Sequence, residues 1–284
     1  MKDQKEGPLT SGLTRGHIDE LLATRAVVTA FQPIYSLATG ALVGAEALTR
    51  IPSSPVRPPA AWFAEAASAG RGLDLEFLAL ETALRAVGQL PSNAYASINL
   101  SPQACMDHRL TEILLGSGLS LQRLVIEVTE RTAVYEYDPL LLALTELRGA
   151  GLRIAVDDAG AGFASMRHIL ELKPDLIKLD RSIIAGIDDD RSRRAFGTAM
   201  VSFAAETSAA LVAEGVETES ELAAAAELGI GCAQGYFLGA PTVSAAEWCQ
   251  WRPLAPLHTA ARRHKGGHWR PGGNASKLEG NQNV

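Results

Sequence analysis

Residues Arg153 to Asp180 read RIAVDDAGAGFASMRHILELKPDLIKLD, and this stretch decides the fold. Its first apolar run ends on two adjacent acids, Asp157 and Asp158, and breaks into a Gly/Ala turn from Ala159 to Gly162. A short helical segment and a Pro-marked turn follow, and a second apolar run, Leu176 to Leu179, delivers Lys178 and Asp180 at its far end. Short unbroken apolar runs separated by a helical segment predict parallel strands buried on both faces. The stretch is therefore a strand, helix, strand unit with charge at the strand exits. Two neighbouring carboxylates resist losing both protons unless a cation offsets their mutual field. A lone Asp-Asp pair is also ordinary turn chemistry, so its meaning depends on the rest of the chain.

Upstream, the strand-like runs AVVTAFQPIYSL and ALVGAEALTR are joined by Ala38, Thr39 and Gly40. A parallel crossover needs a dozen or more residues, so these two pair as an antiparallel hairpin. The second run reaches its end at Glu46, with Arg50 after it. A Pro-rich loop over residues 51–59 leads to a helix at about 60–69. The spacing of Leu73, Phe77, Leu80, Leu84 and Val87 predicts another helix from Leu73 to Leu90. YASINL is a strand carrying Asn99, and Pro102 opens a helix at its favoured early position. LVIEVTE, from Leu124, is a strand ending on Glu127 and Glu130, and helix 138–148 closes at Gly149 and Gly151. Beyond Asp180 the pattern predicts a helix at 190–208, a strand ALVAEGVET with Glu214 and Glu217, a helix at 218–228, a strand GCAQGYFLG with Gln234, and a helix at about 243–251. Eight strands, the first two a hairpin and the rest alternating with helices, predict an α/β fold: a TIM-like (β/α)8 barrel whose first strand runs antiparallel to the others.

The 284 residues accommodate one such barrel of about 250 residues, placed at 25–253. Residues 1–24 form a polar extension in which Ile18 to Ala23 is a candidate docking helix. Residues 254–284 lose all periodicity and read as a disordered basic, Gly-rich tail. Hydrophobic content of 47% is ample for a core. A net charge of -6 and a pI near 5.6 argue against a chain-wide nucleic-acid footprint, yet leave room for a small anionic ligand held by metals. No apolar run reaches membrane-spanning length and the first residues lack a signal-peptide core, which points to the cytoplasm. Cys105, Cys232 and Cys249 are odd in number and widely spaced, as reduced thiols are, and lack zinc-ligand spacing. In the tail, His264 and His268 have no third ligand nearby, and the Asn274-Ala275-Ser276 sequon carries no weight in a cytoplasmic protein.

Taken together, the strand ends are Glu46, Asn99, Glu127, Asp157 with Asp158, Lys178 with Asp180, Glu214, and Gln234. Each alone has an ordinary explanation as a cap, a turn residue or a surface charge. Barrel strand exits converge on one mouth, however, and so many polar ends in succession are poorly explained by solvation. Five carboxylates and an amide, all oxygen donors, suit Mg²⁺ or Mn²⁺ better than zinc. A lone lysine among them is a natural partner for phosphate or for a water losing its proton. Two hard cations, an anionic substrate and a held water point to phosphodiester hydrolysis by two metals.

GAEALTR around Glu46, INLSP around Asn99, EVTE from Glu127, the Asp157-Asp158 pair, Lys178-Leu179-Asp180, EGVET from Glu214 and QGY from Gln234 resemble, in order and over about residues 26–251, the EAL domain, a bacterial phosphodiesterase of cyclic di-GMP. The resemblance implies linearisation of cyclic di-GMP to pGpG with two Mg²⁺ or Mn²⁺ ions per site. It makes Glu46, Asn99, Glu127 and Asp157 ligands of one metal, with Asp157 and Asp158 bridging toward a second. Glu214 serves that second metal or its water, and Lys178 stands beside the attacking water, with the base role open between the two. Gln32, Arg50, Asp180, Glu217 and Gln234 resemble substrate contacts. The family also implies a homodimer. One departure stands out: the family's Asp-Asp-Phe-Gly-Thr-Gly loop is Asp157-Asp158-Ala159-Gly160-Ala161-Gly162 here, which bears on how activity depends on dimerisation. The alternative reading is a non-catalytic cyclic di-GMP receptor signalling to a partner. Such a receptor has usually lost a metal ligand or the lysine, and neither is lost here. A third, weaker reading is a metal-dependent phosphodiesterase of another nucleotide. The sequence identifies no regulatory partner. Removing residues 258–284 is expected to leave turnover within a few fold, measured as the rate of the truncated chain against the full one; a collapse of activity would make the tail structural.

Overall fold

The structure, a computed structural model, describes residues 8–129, 136–160 and 163–254. Helix α1 (Pro8–Thr24) precedes the hairpin of β1 (Val28–Ser36) and β2 (Leu42–Arg50), which turns at Gly40 with φ +67°. Then come α2 (Pro59–Ser68), α3 (Gly72–Val87), β3 (Tyr95–Leu100), α4 (Pro102–Met106), α5 (His108–Gly116), β4 (Leu124–Val128) and α6 (Asp138–Gly149). The second half runs β5 (Arg153–Ala159), α7 (Phe163–Leu172), β6 (Leu176–Leu179), α8 (Arg181–Ile184), α9 (Arg191–Thr207), β7 (Ala210–Ala213), α10 (Glu219–Leu228), β8 (Cys232–Ala233) and α11 (Ala245–Trp248). The strands close into a barrel in sequence order. β1 is antiparallel to both β2 and β8, and every other pair is parallel. This is the TIM-like barrel with a reversed first strand that the alternation predicts.

The two-residue pleat sets what the barrel holds inside. Ile34, Val43, Tyr95, Val125, Ala155, Leu176, Val212 and Cys232, one from each strand, form a single buried cluster that makes the barrel floor. The intervening residues, such as Ile98, Ile126, Ile154, Ile177 and Leu211, belong instead to the large core packed between barrel and helices. Both strand faces are therefore buried, which is why the runs read as continuously apolar. Two residues toward the mouth from the floor stand Gln32, Ser97, Glu127, Asp157, Lys178, Glu214 and Gln234. On β2 the step is three, to Glu46, because the pairing slips between Ile34 and Tyr35 and leaves Val43 without a partner, a β-bulge.

Element boundaries differ from the sequence expectation where glycines intervene. β2 does not stop at Glu46 but continues to Arg50, so Glu46 sits in mid-strand. β7 ends at Ala213, before the turn at Gly215, whose φ is +65°. β8 is only two residues long, because the backbone of Val216 packs against Gly235 where any side chain would collide. The C-terminal helix is confined to Ala245–Trp248. Helix α1 is anchored by Ile18 and Leu21, buried with Trp62, Leu75 and Leu78. Among the described residues no helix is long and apolar enough to cross a membrane. Glu130, Ala161, Gly162 and the tail from residue 255 lie outside the described residues.

Between α6 and α7, His168 is buried and its Nδ1 lies 3.0 Å from the Tyr137 hydroxyl. Burial, with the neighbouring Arg167 charge second, lowers its pKa below the usual imidazole value. The native state thus resists protonating a group that the unfolded chain protonates near pH 6.5. Its stabilising contribution is complete above that pH and is lost as pH falls below it. His168→Gln should therefore flatten the loss of stability as pH falls below about 6.5, read as the difference in Tm between variant and wild type at each pH. Parallel curves would rule the pair out as the origin of the slope.

Candidate active site

Lys178, two residues past the floor on β6, is the centre of the pocket. Its Nζ lies 2.7 Å from Glu214 Oε1, 2.9 Å from Glu127 Oε1, 3.2 Å from Glu46 Oε2 and 3.5 Å from Asp157 Oδ1. Three strands and the connection that follows β7 thus aim carboxylates at one ammonium. Glu46 is held at both oxygens: Asn99 Nδ2 donates to Oε1 at 3.0 Å and Gln234 Nε2 donates to Oε2 at 2.6 Å. Gln234 Nε2 also donates to Gln32 Oε1 at 2.9 Å, while Gln32 Nε2 donates to the Gly239 carbonyl at 3.0 Å. The Ser97 hydroxyl donates to Glu127 Oε1. At the rim, Asp157, Asp158 and Glu214 each offer one oxygen within 4.8 Å of the others. Asp158 takes a left-handed backbone, φ 53°, and the β5–β6 ladder resumes only at Ala159, so the strand breaks at the second aspartate and turns its carboxylate toward the first.

The charges do not balance. Glu46, Glu127, Asp157, Asp158 and Glu214 give five formal negative charges against one positive from Lys178, a net of minus four. Burial pushes Glu127 up to about 8 despite the attraction of Lys178. Burial likewise raises Glu214 well above the usual carboxylate range, with Asp157 adding to it. Asp158 is raised by partial burial and by the Asp157 charge. For Asp157, burial works the same way but the Lys178 charge prevails and lowers it. Burial works to lower the pKa of Lys178, yet the surrounding carboxylates, Asp157 first, hold it well above the ordinary value. Carboxylates driven toward neutrality in a largely buried pocket need more positive charge than the chain supplies. Glu127 Oε2 is buried and accepts no hydrogen bond, and the donors are all oxygen. The residues present therefore fit hard divalent cations.

The sequence-selected residues sort into two groups. Direct contacts join Gln32, Glu46, Asn99, Glu127, Asp157, Lys178, Glu214 and Gln234 in one network, with Asp158 beside it. Asp180 caps α8, accepting from Ser182 N at 2.9 Å, and lies close enough to Asp158 to help raise its pKa. The bonds of Arg50 and Glu217 go elsewhere: Arg50 Nη1 donates to the Thr49 carbonyl at 2.9 Å, and Glu217 pairs with Arg181. Sequence reasoning missed Ser97. Its signal was its place two residues after the floor residue Tyr95, at the register of Glu46.

A family model described as the EAL domain matches residues 15–241. The chain is 32% identical over 239 residues to the protein y4lL of Sinorhizobium fredii, covering 82% of this chain and 29% of that one. It is 29% identical over 232 residues to MucR of Pseudomonas aeruginosa, a bifunctional diguanylate cyclase/cyclic di-GMP phosphodiesterase, covering 78% of this chain and 34% of MucR. The manganese and cyclic di-GMP complex of Klebsiella pneumoniae BlrP1 aligns with a TM-score of 0.69 at 30% identity, over 76% of this chain and 56% of that one. The chain spans 29% and 34% of the length of these two relatives. With the motif residues gathered in one pocket and the match running through nearly the whole barrel, the chain belongs to the EAL-domain family.

Proposed function

We propose that this chain hydrolyses cyclic di-GMP to linear pGpG in the cytoplasm, as a homodimer, with two Mg²⁺ or Mn²⁺ ions in each pocket. The observation that carries the reading is the surplus of four negative charges around Lys178, with Asn99 and the carboxylates of Glu46, Glu127, Asp157, Asp158 and Glu214 converging there. Two divalent cations match that surplus. Glu46, Asn99, Glu127 and Asp157 would hold one, and Asp157, Asp158 and Glu214 the other. Bound there, the ions would polarise the scissile phosphate and lower the pKa of a water.

The chain's own residues do the rest. Lys178, held charged by its neighbours, cannot take up a proton; it fixes the carboxylates and meets negative charge developing on the phosphate. Glu214, its Oε1 2.7 Å from Lys178 Nζ, stands with that lysine beside the place of the attacking water, and with metal activation of the water neither group need accept its proton alone. Gln234 and Asn99 donate to Glu46 and keep its oxygens from rotating. Arg50, at the end of β2, presents a guanidinium suited to a phosphate oxygen, while Gln32, Asp180, Glu217 and Gln234 complete the substrate side. The phosphodiesterase named among the relatives, and the manganese and cyclic di-GMP complex of BlrP1, support the choice of substrate.

Incubating the pure protein with cyclic di-GMP and Mn²⁺ should yield pGpG, and chelation should stop it. Tight binding with no product would leave the receptor reading. Glu46→Ala should lower turnover by more than about 100-fold, beyond what losing an outer-shell partner costs, with Tm close to wild type. Unchanged turnover would remove Glu46 from the site.

A further inference from the structure

Glu214 does not sit on a strand. It is the first residue of the connection from β7 to α10, and that connection is held from several directions. Its backbone continues the barrel ladder, with Glu214 N donating to the Leu179 carbonyl at 3.0 Å and Val216 N to the Gln234 carbonyl at 3.1 Å. Between them Gly215 turns the chain with φ +65°. The aliphatic stem of Arg181 lies directly on this turn: a Cβ at Gly215 would come within 2.7 Å of Arg181 Cβ and Cγ. The same side chain then reaches Glu217 in a two-pronged pair, Nη2 donating to Oε2 at 2.7 Å and Nη1 to Oε1. Buried Glu221 secures the far end, its Oε2 accepting from Glu217 N at 2.9 Å and Thr218 N at 3.2 Å, its Oε1 from Gly186 N at 3.0 Å.

The exit of β6 thus grips the connection twice. Lys178 bonds the Glu214 carboxylate, and Arg181, three residues on, clamps the turn that follows it. Stability does not account for the clamp. The Arg181 and Glu217 side chains are 55% and 37% exposed, and exposed ion pairs typically contribute about 0.2 to 1 kcal/mol. Both Glu217 oxygens meet one guanidinium, which fixes the plane of that carboxylate against the turn. We propose that Arg181 is a positioning residue: packed on Gly215 and paired with Glu217, it fixes the carboxylate of Glu214 in the pocket. The inference rests on the phosphodiesterase reading for its kinetic test, and has a second test that does not.

The variants are Arg181→Ala, Arg181→Lys, Glu217→Gln and the double Arg181→Ala/Glu217→Gln, each checked for wild-type Tm. In an enzyme that turns over cyclic di-GMP with Mn²⁺, Arg181→Ala should lower kcat by about 10- to 100-fold, the cost of a misplaced catalytic group, with KM within about threefold. Arg181→Lys should recover only part, since an ammonium cannot make the two-pronged contact. The double variant should be no slower than the slower single one, as expected when two residues act as one unit. A rise in KM at constant kcat, or losses that add in the double variant, would overturn the proposal in favour of separate substrate contacts. If the wild-type chain binds cyclic di-GMP without turnover, Mn²⁺ affinity decides, read by electron paramagnetic resonance of the free ion. A loss of about tenfold in Arg181→Ala, the scale of an outer-shell partner, upholds the positioning of Glu214, and an unchanged affinity overturns it.

Discussion

One buried ammonium holds this barrel's pocket together. Lys178 is fully enclosed and stands between carboxylates from β2, β4, β5 and the end of β7. Burying a charge is costly unless its partners are close and well aimed, and here the partners outnumber it. The arrangement is tense by design of its charges, because each added acid strengthens the hold on the lysine while repelling the other acids. A barrel interior can support this because its floor is a dry plug of one side chain per strand, which seals the pocket from below and leaves it open only at the mouth. The same charge surplus that makes the pocket a poor source of stability makes it a good receptacle for cations.

Closing the barrel and building the site turn out to be a single problem at the seam between β1 and β8. The backbone pairing there spans only Tyr35 with Ala233 and Ser36 with Cys232. Just above, Gln32 and Gln234 join the two strands by side chain, and Gln234 passes the connection to Glu46. The Gly239 carbonyl takes the remaining Gln32 donor. Amide side chains carry on where the ladder stops. Running β1 backwards makes this work, since it sets Gln32 directly across from Glu46 in the hairpin.

Much of this was legible in the residues and some was not. The Arg153–Asp180 unit announced parallel, doubly buried strands, and the convergence of polar strand ends located the pocket, because the pleat and the barrel mouth are generic geometry. The Asp157-Asp158 pair combined both of its readings: Asp157 stays in line with the pocket while Asp158 is the residue where the strand breaks, at a left-handed backbone angle that no residue identity announces. Strand lengths were overread at ALVAEGVET and GCAQGYFLG, since the apolar pattern runs on past Gly215 and Gly235, where tight packing of one connection against the other ends the sheet. Ser97 escaped notice because a small hydroxyl inside an apolar run looks like filler. Arg181 and Glu221 escaped because their roles depend on contacts between segments about 35 positions apart. The apolar pair of α1 was visible, but not that Trp62, Leu75 and Leu78 would receive it.

The slip in the first hairpin carries a lesson about how the pocket is encoded. Gly44 stands directly across from the floor residue Ile34, and Glu46, two residues on, directly across from Gln32, while the extra residue Val43 supplies the floor side chain of this strand. Without Val43 the ladder would run regularly from Ile34–Gly44 to Tyr35–Leu42 and Glu46 would stay across from Gln32; what would be lost is the side chain Val43 gives to the floor, next to a glycine with no room for one, since a Cβ at Gly44 would strike the Tyr95 ring. The surplus residue thus plugs the bottom of the barrel at the one place where the position in line with the motif has to stay bare.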